Sequence, residues 1–336
     1  MLSGVIHARG LARTFRKRKQ EVHAVVGVDL DVEAGEIVGF LGPNGAGKTT
    51  TLRMLTTLLE PTAGTATVAG CDLITDPVGV RRRIGYVSQS GSTAPEARAG
   101  EEVVDHARLY GMSTAEATER GRQLFREFDL DGLCERQPKT LSGGQRRRLD
   151  IVVGLIHVPE LVFLDEPTTG LDPQARANLW THISGLREER GTTVFLTTHY
   201  LDEADALCDR ILVIDHGAIV ASGTPDELKS QVGGDVLTVT VARADQIGDV
   251  SRLVGGLRGA EAPQVVNDRV TCRVPHGGAA LLDLVRGLDR EDIMISGIES
   301  RRPSLDDVFL GLTGRSLRDE ESARASAPAV AEEVTV

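Results

Sequence analysis

Residues 36–50, EIVGFLGPNGAGKTT, decide the fold. After Glu36, the run Ile37 to Leu41 is apolar with a β-branched start and reads as a buried strand. It leads directly into Gly42-Pro43-Asn44-Gly45-Ala46-Gly47-Lys48-Thr49-Thr50, which fits GxxxxGK[ST], and Thr49 to Leu59 then reads as a helix. Strand, glycine-rich loop and helix in that order make a phosphate cradle. The glycines let successive backbone N–H groups turn inward, and the helix N-terminus adds partial positive charge. Lys48 reaches the β- and γ-phosphates, and Thr49 ligates Mg2+.

A cradle alone hydrolyses nothing, so a carboxylate pair at the end of a second buried strand is needed. Leu161-Val162-Phe163-Leu164-Asp165-Glu166 supplies it. Four consecutive apolar residues place this strand inside a sheet, with both acids emerging where such sheets bind ligands. Asp165 then belongs to the magnesium shell, and Glu166 orients or deprotonates the attacking water. Ile84 to Ser88, Thr193 to Thr197 and Ile211 to Asp215 are further strand candidates, so the chain reads as α/β with a substantially parallel sheet. From Gly91 to Lys139 the pattern turns helical, notably over Glu101 to Tyr110 and Thr114 to Phe128, which reads as an insertion.

Composition narrows the partners. The 336 residues are 40% hydrophobic, which suits a large domain plus a small one. Lys+Arg 38 against Asp+Glu 49 gives a formal charge of −11, and aromatics are 3%. That balance repels a phosphate backbone and offers few stacking platforms, so nucleic acid is not an expected partner. The run Arg146-Arg147-Arg148 reads as helix-surface ion pairs. Cysteines 71, 134, 208 and 272 are scattered, which suggests neither a disulfide framework nor zinc and fits a reduced cytoplasm. The sequence offers no apolar run of membrane-spanning length and no secretory signal, so a membrane would be reached through a partner.

Leu141-Ser142-Gly143-Gly144-Gln145 matches the signature motif of ATP-binding-cassette (ABC) ATPases, and residues 4–230 resemble the nucleotide-binding subunit of an ABC transporter. The family's other stations follow in order: Gln89 in the Q-loop, Asp172 in the D-loop segment Gly170-Leu171-Asp172, and His199 as the switch histidine. Phe15 sits where the family places an aromatic against adenine. The resemblance implies a P-loop cassette with a mostly parallel core sheet, an antiparallel β subdomain and a helical insertion over about 91–158. It adds Gln89 to the magnesium shell with Thr49 and Asp165, and makes Lys48, Glu166 and His199 the catalytic set. Ser142 also has a reading of its own, as the cap of a helix whose Gly143 and Gly144 offer N–H groups to a second anion. The family closes that second half-site onto ATP bound by another protomer, which implies a homodimer with two sandwiched ATP molecules.

The signature region and the late Pro303-Ser304-Leu305-Asp306-Asp307-Val308-Phe309-Leu310 resemble the daunorubicin/doxorubicin-resistance group of export ATPases. These act with a separately encoded permease, which implies a peripheral position on the cytoplasmic side of the cell membrane. Residues 90–99 (SGSTAPEARA) depart from the family's usual leucine and acidic pattern. Residues 235–313 read as βαββαβ, a ferredoxin-like plan with a turn at Asn267-Asp268; residues 315–336 read as a disordered tail. The expected function is ATP-driven efflux, of hydrophobic drugs or antibiotics on the subgroup resemblance. A lipid, polysaccharide or other metabolite is the alternative cargo, and a soluble ABC ATPase or a non-catalytic regulatory cassette the alternative classes.

Overall fold

The computed structural model describes residues 4–17 and 20–314, so the expected tail at 315–336 lies outside the described residues. The chain divides into two compact units at Pro225/Asp226.

In the first unit a six-stranded sheet runs in the order Ala218–Gly223, Arg210–Asp215, Ile37–Leu41, Thr193–Thr198, Leu161–Asp165, Ile84–Val87. Five strands are parallel, and Ala218–Gly223 joins one edge antiparallel. The three central strands Ile37–Leu41, Leu161–Asp165 and Thr193–Thr198 are buried at every residue, as strands covered on both faces must be. Their register fixes the site. Leu41 pairs with Thr198, and Asp165 with Thr197, so three loops leave side by side at one edge of the sheet.

A four-stranded antiparallel sheet, order 20–32, 6–17, 63–68, 71–72, packs on this core. Ile6, Leu11, Val25, Val28 and Val32 share one buried cluster with Phe40, Leu52, Phe163 and Phe195, so the two sheets enclose a single interior. The glycine-rich loop feeds the helix Lys48–Leu55, which stops four residues short of the expected Leu59 because Thr57 takes a left-handed φ of 62°. Helices Ala99–Leu109, Thr114–Glu127 and Gly143–Leu155 make the helical insertion.

The second unit has four antiparallel strands in the order Gln264–Val266, Arg269–Val274, Asp235–Val241, Ile295–Arg301, with helices Ile247–Gly255 and Gly277–Arg290 between them in the chain. That is the βαββαβ plan. The two-residue hairpin at Asn267-Asp268 works because Asn267 tolerates its left-handed φ of 56°. Leu237, Val239, Val250, Val254, Val270 and Leu284 form this unit's own core. Helix Leu305–Thr313 opens with a capping box between Ser304 and Asp307. Among the described residues no helix is long and apolar enough to cross a membrane.

Candidate nucleotide site

The glycine-rich loop is shaped by contacts that only glycine permits. Gly45 and Gly47 take φ of 82° and 106°. A Cβ on Gly42 would lie 2.3 Å from the Ile214 carbonyl oxygen, and one on Gly47 would lie 2.6 Å from that of Ala24. Gly42 N donates to Thr198 O at 3.3 Å, tying the loop to the strand that leads to His199.

Lys48 is buried, and its Nζ donates to the loop's own carbonyls at Gly42 (2.7 Å) and Pro43 (3.1 Å). It also lies 3.4 Å from Glu166 Oε1. The other carboxylate oxygen, Glu166 Oε2, accepts from Gln89 Nε2 at 2.9 Å and Thr169 Oγ1 at 3.2 Å, and His199 Nδ1 lies 3.3 Å from Oε1. Lys48, Gln89 and His199, far apart in the sequence, therefore meet around the Glu166 carboxylate. Burial would raise the Glu166 carboxyl, but His199, the Lys48 charge and Thr169 outweigh it and hold it at about 2. Glu166 itself sits at a left-handed φ of 44°, a strained conformation directly after the strand Leu161–Asp165.

Asp165 faces a different set. Its Oδ1 accepts from Thr197 Oγ1 at 2.6 Å and Thr49 Oγ1 at 3.2 Å. Burial pushes its carboxyl up against these hydrogen bonds, with the neighbouring Glu166 charge adding to the rise. Two adjacent carboxylates are thus driven apart in acidity by opposite surroundings.

Ser142 and Gln145 form a complete capping box: Gln145 N donates to Ser142 Oγ at 3.2 Å, and Ser142 N to Gln145 Oε1 at 3.1 Å. Ser142 and Gly143 are exposed at this helix start, and a Cβ on Gly144 would come 3.1 Å from that of Ala175. Asp172 caps the helix Pro173–Arg190, accepting from Ala175 N at 2.9 Å. The signature segment thus rests against the start of the D-loop helix. Phe15 lies on the antiparallel hairpin opposite Val22, partly exposed, with the Arg13 guanidinium 4.8 Å from its ring centroid. Pro43, Asn44 and Ala46 complete the loop, and Thr50 lies in the first turn of the helix Lys48–Leu55.

One expectation is corrected. Arg147 is no surface ion-pair residue: it is 7% exposed and donates to the backbone carbonyls of Pro167 (2.8 Å), Ser88 (2.6 Å) and Asp165 (2.9 Å). One guanidinium thereby pins the backbone beside Gln89, Asp165 and Glu166. The sequence held a signal for it, since Arg147 precedes Ile151 by one helical turn on the buried face. Thr197 was also hidden within its strand; its hydroxyl both donates to Asp165 and accepts from Glu166 N at 3.0 Å.

Residues 25–169 match the family described as ABC transporter, and residues 223–313 that described as ATP-binding protein DrrA1-3-like, C-terminal domain. The chain is 42% identical over 326 residues to the daunorubicin/doxorubicin resistance ATP-binding protein DrrA of Streptomyces peucetius, covering 96% of both chains. It is 37% identical to the Nod factor export ATP-binding protein I of Cupriavidus metallidurans, covering 91% of this chain and 98% of that one. Among solved structures it is similar to the dimeric MJ0796, a bacterial ABC transporter cassette, with TM-score 0.61 and 27% identity over 65% of this chain and 98% of the other.

Proposed function

Because this chain belongs to the ABC transporter family of ATP-binding subunits, we propose that it hydrolyses ATP to drive efflux of a hydrophobic drug or antibiotic through a separately encoded permease. The observation that carries the chemistry is the convergence of Lys48, Gln89 and His199 on Glu166. Lys48 holds the β- and γ-phosphates; His199 contacts the γ-phosphate; the Glu166 carboxylate orients the attacking water and takes its proton. Phe15 stacks on the adenine.

Thr49 and Asp165 present hard oxygen donors 3.2 Å apart, and Gln89 adds an amide oxygen, a donor set that suits Mg2+. When bound, the ion neutralises charge on the β- and γ-phosphates. A second copy of this chain supplies Ser142, Gly143, Gly144, Gln145 and Asp172 to the γ-phosphate, so ATP stabilises a closed homodimer and hydrolysis removes the contact that holds it. The chain works from the cytoplasmic face, held at the membrane by its permease. The domains follow as a cassette over 4–230 and an accessory domain over 235–313.

Drug cargo is supported by the name of the 42%-identical relative and by the match of the C-terminal domain. The Nod factor export relative keeps another metabolite as the second reading. The test is purification of the tagged chain from gently solubilised host membranes, followed by efflux of daunorubicin from cells expressing the chain with the recovered permease. Recovery of a multi-spanning protein, with efflux lost in Glu166→Gln, supports the proposal. Recovery only of ribosomal or DNA-repair components from the soluble fraction overturns it, and a working permease that leaves daunorubicin inside moves the cargo to the second reading.

A further inference from the structure

His199 is packed from one side by its own neighbour. The Tyr200 ring lies 4.1 Å from the imidazole, centroid to centroid, at a tilt of 42°. The Arg176 guanidinium sits over the Tyr200 ring, 4.3 Å from its centroid. Arg176 Nε is buried without a hydrogen bond among the described residues, and the cation is shared between the Tyr200 ring and the charge of the buried Glu203. Arg176 stands in the first turn of the helix Pro173–Arg190, where its backbone N–H donates to the Asp172 carbonyl at 3.0 Å.

One turn further along the same helix, Trp180 Nε1 donates to Glu203 Oε1 at 3.3 Å. Glu203 is wholly buried on the helix Leu201–Leu207, which begins directly after Tyr200. Residues four apart share a helix face, so Arg176 and Trp180 act as two prongs from one rigid element. They hold the segment that carries His199 at Tyr200 and again at Glu203. Asp172 caps that same element at its exposed end.

We propose that Arg176, Tyr200, Trp180 and Glu203 are positioning residues that couple Asp172 to His199 within one protomer, so that seating of the Asp172 loop sets the orientation of the imidazole. A displacement of the first turn of Pro173–Arg190 is carried along the helix to Arg176 and Trp180, whose contacts pass it to the two-residue link His199-Tyr200 between the strand Thr193–Thr198 and the helix Leu201–Leu207. Asp172 thereby senses its surroundings and His199 reads out the result. The inference rests on the assignment of His199 to the γ-phosphate.

Steady-state ATP hydrolysis by the full chain, with its permease, separates the possibilities. Tyr200→Leu and Arg176→Gln should each lower kcat on the order of tenfold and leave KM for ATP within about twofold. Tyr200→Phe, which keeps the ring, should restore kcat. The double variant should be no worse than either single one, because both break the same contact. Trp180 is the chain's single tryptophan, so its emission should shift on ATP addition and the shift should vanish in Asp172→Ala. His199→Ala is run in parallel. If it hydrolyses normally, the assignment of His199 fails and the relay with it. If His199→Ala is inactive while Tyr200→Leu and Arg176→Gln keep full kcat, the relay alone is overturned. Should Tyr200→Leu not fold, Arg176→Gln against Arg176→Lys decides, and loss of kcat in both beside an unmoved Trp180 emission refutes the proposal.

Discussion

Lys48 Nζ lies 3.4 Å from Glu166 Oε1, with both side chains buried, so the cation assigned to the phosphates and the carboxylate assigned to the water hold each other. A triphosphate claiming Lys48 competes with Glu166 for it. The same carboxylate binds Gln89 and faces His199, so under the roles proposed for these residues an arriving γ-phosphate would meet an anion already standing among its ligands. On that proposal, arming the carboxylate and binding the nucleotide oppose each other in the ground state.

Glu166→Gln removes that competitor while keeping the shape. ATP affinity should rise by about tenfold, close to one charge-assisted contact. Hydrolysis should fall by roughly 10²- to 10⁴-fold, the span of a lost general base, and ATP-bound dimers should persist. Calorimetry with ATP, phosphate release and size-exclusion chromatography report the three. Undiminished turnover would sink the role given to Glu166.

Lys48→Ala acts in the opposite direction. The variant loses the phosphate contact and leaves Glu166 buried with less positive charge beside it. ATP binding should weaken by about 2–3 kcal/mol, the range of a hydrogen bond to a charged group. Unchanged affinity by calorimetry would mean that the glycine-rich loop is not a nucleotide cradle.

Arg147 gives a test of architecture rather than chemistry. Its guanidinium joins the Ser88, Asp165 and Pro167 carbonyls, three points on the chain segments bearing Gln89 and Glu166. Arg147→Met fills similar volume but strands those buried carbonyls, so unfolding should become easier by about 3 kcal/mol. Arg147→Lys should recover little, since an ammonium cannot span three acceptors as a planar fork does. Thermal unfolding of the two variants beside the parent chain measures this, and a Lys variant as stable as the parent would contradict it.

How much of this could be read in advance follows from the kind of signal each residue carries. The central strands announced themselves through uninterrupted apolar runs, and the loop through glycines that the Ile214 and Ala24 carbonyls make obligatory. The turn at Asn267-Asp268 was legible because two residues between alternating runs leave the backbone one economical route. Arg147 carried a fainter signal, because a run of three arginines looks solvated until helix phase with Ile151 separates the inward one from its neighbours. Thr197 and Tyr200 were hidden for another reason. Their roles depend on which strands and helices become neighbours, and a single sequence does not contain those distances.

Asp307 carries the last prediction, a pH dependence in the second unit. Burial would raise its carboxyl, but Arg301, which donates to it at 2.6 Å, and the Ser304 backbone and hydroxyl hold it well below the ordinary carboxylate range. A group with a depressed folded pKa stabilises the protein fully above its unfolded value near 4 and loses that contribution as pH falls further. At pH 7 the parent chain should exceed Asp307→Asn by about 2 kcal/mol, as hydrogen bonds to a charged group imply. The gap should stay constant from pH 7 to pH 5 and shrink below pH 4, as the parent's carboxylate is protonated while the amide is indifferent. Denaturant unfolding of the full chain at pH 7, 5 and 3.5 reads the gap directly. A gap that widens on acidification would show that Asp307 is not the charged cap and ion-pair partner that its contacts with Ser304 and Arg301 make it.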